Sequence, residues 1–150
     1  MLKHIPKSFT PELLKLLMEM GHGEDILIAD GNFPQKAVSS KNIACEVIYM
    51  PICDISILLK EILHFFPLDQ AVESAAFAME VLKENPKYGE YKKIIEENDS
   101  KLELAERFKF YGLAEKAACI IVTADTTKGG NILIKKGVVT PDAMLTANVK

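Results

Sequence analysis

"GHGEDILIAD", residues 21–30, is the stretch that decides the fold class. It contains an unbroken apolar run, Ile26 to Ala29, between a glycine-bounded turn and an aspartate. The run is too short for a helix of its own and shows no polar alternation, so it predicts a fully buried strand. The segments on either side indicate how this strand is used.

A helix is predicted directly before the strand, in "TPELLKLLMEMG" at residues 10–21. Thr10 suits the N-cap, Pro11 suits the first helical position, and Gly21 is a typical C-terminal stop. Helical spacing predicts one apolar face, formed by Leu13, Leu14, Leu17 and Met18.

Strands and helices continue to alternate after residue 30. "CEVIYM" (45–50), "CIIVTAD" (119–125) and "NILIKKGVV" (131–139) predict strands. The clearest helix is capped by Asp54 and ended by Pro67. Its apolar stripe consists of Ile55, Leu58, Leu59, Ile62 and Leu63.

The middle of the chain is harder to assign. "QAVESAAFAMEVL" (70–82) fits a helix or a strand, and "NPKYGEYKKIIEENDS" (85–100) predicts a polar surface helix. Residues 101–118 predict a short strand that gives way to a helix near Arg107. This alternation predicts one α/β domain over residues 1–150, a sandwich with a mostly parallel sheet flanked by helices.

Composition excludes several classes of protein. Of the 150 residues, 49% are apolar and 26% are charged, and the net charge of -3 provides no basic field for nucleic acid. The sequence shows no signal-peptide core and no apolar run of membrane-spanning length, so we expect a cytoplasmic protein without a membrane partner. Cys45, Cys53 and Cys119 stand in apolar contexts, which predicts buried free thiols in a reducing compartment.

Two ionisable residues flank the central strand. His22, between two glycines, could exchange protons near neutral pH, or it could be a solvent-facing turn residue. Asp30 follows the strand, where residues of α/β sheets line binding sites, but an aspartate before Gly31 also suits a simple turn.

Two later segments are further candidates. In "ERFKFY" (106–111), Arg107 and Tyr111 are four residues apart on a helix, or they are an ordinary surface arginine and a half-buried aromatic. In "TTKGGNIL" (126–133), the glycines allow close approach of a ligand and Asn131 offers a donor and an acceptor, unless the segment is only a turn. There is no P-loop, zinc signature, dinucleotide fingerprint or serine elbow. Such an inventory suits proton transfer on a small polyhydroxylated ligand.

Several motifs together resemble one family. "TPELLKLLMEMGHGEDILIADGNFP", "FPLDQAVESAAFAME", "ERFKFYGLAEKA" and "GNILIKKGV" occur in the order found in the RbsD/FucU family, and the resemblance covers about Thr10 to Val138. It implies interconversion of the α and β anomers of a free monosaccharide without cofactor or metal. It also implies ring-shaped homo-oligomers, typically decamers, with sites near subunit contacts.

The resemblance also implies residue roles. His22 matches the acid–base residue, and the substrate-binding positions fall on Asp30, Arg107, Tyr111, Gly129, Gly130 and Asn131. Tyr111 matches the fucose branch rather than the ribose branch, so L-fucose is the expected sugar. A non-catalytic sugar-binding accessory of transport or regulation remains the alternative.

The chain departs from the family at Gly129, where the family usually has tyrosine. The departure leaves the identity of the sugar open. Gly129→Tyr is expected to speed fucose exchange or to tighten fucose binding, provided that the backbone at this position does not need a positive φ.

Overall fold

The computed structural model describes residues 2–145, with side chains through residue 143. The six strands are β1 (Asp25–Ala29), β2 (Glu46–Tyr49), β3 (Ala76–Met79), β4 (Leu102–Ala105), β5 (Cys119–Val122) and β6 (Ile132–Lys135). The helices are α1 (Pro11–Glu19), α2 (Gln35–Ser39), α3 (Ile55–Leu63), α4 (Pro86–Glu96), α5 (Arg107–Ala114) and α6 (Pro141–Leu145), and one turn of 3-10 helix covers Glu80–Leu82.

All six strands belong to one sheet, in the order β2-β5-β1-β6-β3-β4. The pairs β2–β5, β1–β5 and β3–β4 are parallel, whereas β6 runs antiparallel to both of its neighbours. The predicted α/β sandwich with a mostly parallel sheet is therefore confirmed. β6 is the exception: it lies between β1 and β3 and runs in the opposite direction to both.

The central strand β1 is buried on both faces, as the sequence predicts. Ile26 and Ile28 pack into the core formed with α1, α3 and α4, while Leu27 and Ala29 pack into the core formed with α2 and α5. All four side chains are inaccessible to solvent. Since successive strand residues point to opposite faces, one apolar run supplies both cores.

Hydrogen-bonded caps fix the helix starts that the sequence indicates. Thr10 Oγ1 accepts the Leu13 N–H at 3.2 Å at the start of α1, and Asp54 Oδ1 accepts the Ser56 N–H at 2.9 Å at the start of α3. The predicted stripe of α3 is entirely buried. The predicted face of α1 is wrong at its end, because Met18 is 86% exposed and Leu16 is buried instead.

Other differences are local. Residues 70–82 contain β3 followed by the 3-10 turn, and the short helix α2, which begins at Gln35, was not predicted from the sequence. The polar helix α4 buries Tyr91, Ile94 and Ile95 on one side.

The cysteine prediction is correct only in part. All three thiols are free, but Cys119 alone is buried, while Cys45 is half-buried and Cys53 is exposed. Within residues 2–145, no helix has the length and apolarity required to cross a membrane.

Candidate functional site

A cleft of about 540 Å³ opens at the edge of the sheet where β1, β3 and β4 end and β6 begins. Strands that run in the same direction end at the same edge, so residues distant in sequence meet there. The lining includes five of the predicted substrate-binding residues: Asp30, Arg107, Tyr111, Gly129 and Asn131. The sixth, Gly130, lies between two of them in sequence.

Asp30 is the buried charge of this cleft, with 4% of its surface exposed. Its Oδ1 accepts the Asn32 N–H at 2.8 Å, and its own N–H donates to Asn131 Oδ1 at 2.8 Å. Burial raises the pKa of the carboxyl, although the Asn32 and Asn131 hydrogen bonds act in the opposite direction. The carboxylate is thus held in place with acceptor capacity left for a ligand.

A second buried aspartate, Asp125, holds the loop at residues 126–131 in place. Asp125 accepts the Thr127 N–H at 2.8 Å and the Ile55 N–H at 2.9 Å, which ties the loop to the start of α3. Tyr91 O–H donates to the Gly130 carbonyl at 2.7 Å. Sequence reasoning missed both supports. The signal for Asp125 was the repeated ending of the two apolar strands, "IAD" after β1 and "TAD" after β5.

Arg107 and Tyr111 contact each other at the opening of α5, as their spacing predicts. Arg107 Nε donates to the Tyr111 hydroxyl at 3.3 Å, and its Cζ lies 5.6 Å from the tyrosine ring centroid. Phe33 packs edge-on against the same ring at 5.8 Å. Among the described residues no carboxylate pairs with the guanidinium. Its remaining N–H groups are therefore available at the cleft.

Gly129 has a φ of +66°, a conformation that residues with a side chain rarely adopt. A Cβ at this position would lie 2.3 Å from Val81 Cγ1. The condition attached to Gly129→Tyr is not met, so no gain is expected from that substitution. Val81 occupies the space into which a side chain at position 129 would project.

His22 does not reach this cleft. It lies exposed in the turn before β1, whereas Asp30 follows the last residue of the same strand. A strand rises about 3.3 Å per residue, so β1 alone separates them by roughly 16 Å. In the described part of the chain, no hydrogen bond or ion pair involves the imidazole. One chain therefore gathers the predicted binding residues but not the predicted acid–base residue.

The cleft also contains residues that sequence reasoning did not single out. Met79 Sδ lies 3.4 Å from Asn131 Nδ2, and Glu106 caps α5 by accepting the Phe108 N–H at 2.9 Å. Glu80 and Lys128 add exposed charges to the lining. The sequence could have indicated these residues only by their positions, which are at or after the end of a strand or next to the two glycines at 129 and 130.

The donors and acceptors suit hydroxyl groups. Asp30 offers an anionic acceptor, Arg107 a forked cation, and Tyr111 and Asn131 neutral groups on the same cleft. Within residues 2–143, no three His, Cys, Asp or Glu side chains cluster as a metal site would require.

Comparison with known proteins places this geometry in a family. The model of the RbsD / FucU transport protein family matches residues 3–139. The fucose mutarotase of Danio rerio is 38% identical, over 94% of this chain and 96% of its own length. The L-fucose mutarotase of Actinobacillus pleuropneumoniae serotype 5b (strain L20) is 36% identical, over 92% of this chain and 97% of its own.

A solved structure agrees. The fucose mutarotase of Streptococcus pneumoniae in complex with L-fucose superposes with a TM-score of 0.82, at 39% identity, covering 93% of this chain and all of the other. The motifs, the six-stranded fold and these relatives agree, and the chain belongs to the RbsD/FucU family.

Proposed function

We propose that this protein is a mutarotase that interconverts the α and β anomers of free L-fucose. The observation that carries the proposal is the cleft, where Asp30, Arg107 and Asn131 converge in a fold shared with a fucose mutarotase that binds L-fucose. The three unpaired cysteines are consistent with a reducing cytoplasm as its location.

Mutarotation breaks and re-forms the bond between C1 and the ring oxygen, transfers protons and rotates one carbon–carbon bond. The anomeric hydroxyl loses its proton while the ring oxygen gains one, so the ring opens to the aldehyde. Rotation about the C1–C2 bond presents the other carbonyl face, and closure reverses the two proton transfers. The reaction needs a group that accepts and donates protons near neutral pH, and histidine is suited to this task.

The cleft residues would hold the sugar for this exchange. Asp30 accepts hydrogen bonds from sugar hydroxyls, and the Arg107 guanidinium donates to others. Asn131 Oδ1 already accepts the Asp30 N–H, and Nδ2 donates one N–H to Met79 Sδ, so the second N–H of Nδ2 is left to donate to the sugar. The Tyr111 ring, held against Phe33, provides a flat apolar surface next to its hydroxyl.

His22 would reach the sugar from a second copy of the chain. The turn and the cleft lie at opposite ends of β1, so a contact between them joins two different surfaces. Repeating such a head-to-tail contact closes a ring when the rotation allows it. Phe108 and Val81, 75% and 52% exposed, lie on or beside the cleft and offer apolar area for the contact. We propose a ring-shaped homo-oligomer of this kind, a decamer as in the resembling family.

Mixing two variants that are each nearly inactive at fucose concentrations below KM tests this arrangement. His22→Ala lacks the acid–base group, and Asp30→Asn lacks the charged acceptor. If each site takes its histidine from one copy and its aspartate from another, co-refolding equal amounts should restore about a quarter of the wild-type sites. Anomer exchange is measured by saturation-transfer NMR with L-fucose, before and after mixing.

The outcomes separate the assignments. Restored exchange supports a shared site, whereas two inactive variants without restoration contradict it. A His22→Ala protein with the wild-type rate contradicts the role of His22. Fucose binding without faster exchange in the wild type leaves a sugar-binding accessory as the function.

A further inference from the structure

The turn that carries His22 is exposed, yet its backbone is anchored at several points. The Gly21 N–H donates to Glu24 Oε2 at 2.7 Å, which closes the turn locally. The Gly23 N–H donates to the Lys136 carbonyl at 2.7 Å, which joins the turn to the end of β6. The Lys136 N–H also donates to the Glu24 carbonyl at 2.9 Å. Gly23 itself has a φ of +82°, so the chain reverses direction directly after His22.

One side chain, Lys135, provides a further anchor. Its Nζ lies 3.0 Å from the Gly23 carbonyl oxygen and 2.9 Å from Asp25 Oδ1. Asp25 and Lys135 are cross-strand partners of β1 and β6. The ammonium therefore bridges the residue after His22 and the first residue of β1.

The anchor is partly withdrawn from solvent. The side chains of Lys135 and Asp25 are 24% and 13% exposed. Among the described residues, Asp25 Oδ1 has this ion pair but no aligned hydrogen bond. The pairing is therefore less screened than a surface salt bridge and ties the ammonium to a rigid strand.

We propose that Lys135 is a positioning residue for His22: it clamps the Gly23 carbonyl to β1 and so fixes the direction in which the imidazole projects. The proposal rests on His22 being the acid–base group of the proposed mutarotase. Lys135 touches neither the cleft nor, in this role, the sugar. Its effect reaches the reaction only through the turn.

The need for such a clamp follows from the position of His22. The residue lies between two glycines, which restrict the backbone less than other residues do. Among the described residues, no hydrogen bond, ion pair or ring contact orients its imidazole. A misplacement of about 1 Å in a reacting group can cost up to ~10²-fold in rate. A clamp on the neighbouring carbonyl reduces that loss without covering the imidazole.

The neighbouring lysine provides a matched control. Lys136 contributes its backbone carbonyl to the turn, while its own Nζ lies 3.5 Å from the Gly137 carbonyl and contacts neither Gly23 nor Asp25. Lys136→Met therefore removes an ammonium of the same type while leaving the clamp in place. Lys135→Met removes the clamp, and Lys135→Arg retains a cationic donor of similar reach.

The test compares kcat and KM for fucose exchange, with melting temperature and sedimentation measured in parallel. We expect Lys135→Met to lower kcat roughly 10-fold with little change in KM. Lys135→Arg should recover part of kcat, and Lys136→Met should match the wild type. Because Lys135→Met leaves the Asp25 carboxylate unpaired and could destabilise the fold, Asp25→Asn/Lys135→Met is measured as well. It should show the same loss of kcat without the unpaired charge.

Two results would overturn the proposal. One is a wild-type kcat in a folded, assembled Lys135→Met or Asp25→Asn/Lys135→Met protein. The other is a fall in kcat that Lys136→Met reproduces. A wild-type rate in His22→Ala would instead refute the assigned role of His22, so the two failures are distinguishable.

Discussion

The two ends of β1 are built in opposite ways. At the carboxyl end, Asp30 is buried, accepts a backbone N–H and donates its own N–H to Asn131, within a cleft lined by several elements. At the amino end, His22 is exposed between two glycines and is held only through its neighbours. At the carboxyl end the functional side chain itself is held by hydrogen bonds, whereas at the amino end only the backbone around His22 is held.

The difference fits a division of tasks. Binding a sugar needs several polar groups fixed relative to one another, which one folded chain can supply. In the proposed shared site, the group that transfers protons enters the cleft of another copy, so that group must be exposed. At the carboxyl end, the free-energy cost is the desolvation of the Asp30 charge. At the amino end, it is the conformational entropy that the two glycines lose on folding.

The largest effect should come from His22→Ala, which removes the side chain of the amino end alone. General acid–base help contributes about 10²- to 10⁴-fold, so exchange should fall by that factor. Stability should change little, because the imidazole is exposed and makes no hydrogen bond or ion pair among the described residues. Saturation-transfer NMR and thermal unfolding measure the two properties. A large fall in melting temperature would show that the amino end is packed after all.

The next effect concerns the carboxyl end. Asp30→Asn should weaken fucose binding about 10- to 100-fold, because hydrogen bonds to a charged group contribute about 1.5–3 kcal/mol. Asparagine can still accept the Asn32 N–H, so the local turn should persist. Titration calorimetry measures the affinity, and Asp142→Asn on exposed α6 is the control. Equal affinities in all three proteins would remove Asp30 from the site.

Sequence reasoning recovered more of the carboxyl end than of its supports. Asp30 was a candidate because it follows a strand of an α/β fold, and the family resemblance added Arg107, so both could be named before any coordinates. Asp125 and Tyr91 could not, because their roles depend on hydrogen bonds to Ile55 and Gly130 across the fold. Sheet order, which decides which other strand ends line the cleft, is likewise a long-range property. The separation of His22 from Asp30 instead follows from the length of β1 alone.

Local pattern was also insufficient where partners decide burial. The buried face of α1 was predicted incorrectly at Met18, which is exposed. Helical periodicity alone does not say which side of the helix meets the sheet. Residues 70–82 became β3 and a 3-10 turn because pairing with β4 and β6 overrides an ambiguous propensity.

A glycine comparison measures how rigidly the cleft is built. Gly129→Ala should destabilise the protein by about 1–2 kcal/mol for its positive φ alone, with further cost from the overlap with Val81. Gly89→Ala, in the exposed interior of α4 with open space around it, should stabilise by about 0.5–1 kcal/mol. Denaturant unfolding gives both values. Equal effects of the same sign would mean that the loop at Gly129 relaxes freely.

The smallest expected effect also concerns Asp30, through its charge in the unliganded protein. Burial raises the pKa of this carboxyl above its unfolded value, so ionisation opposes folding. Its stabilising contribution is present below the unfolded pKa of about 3.9 and is lost as pH rises through the folded pKa. Asp30→Asn suffers no such loss. It should therefore melt at a higher temperature than the wild type at pH 7, with a smaller difference near pH 4.

Fucose should reverse that order, because a ligand stabilises the folded state according to its affinity. With sugar present at pH 7, the wild type should gain more melting temperature than Asp30→Asn. Asp25, whose pKa is also raised by burial, is common to both proteins and cancels in the difference. A gap between the two proteins that stays constant across pH would mean that the Asp30 carboxylate is solvated in the open cleft. The contrast between the two ends of β1 would then rest on hydrogen bonding alone.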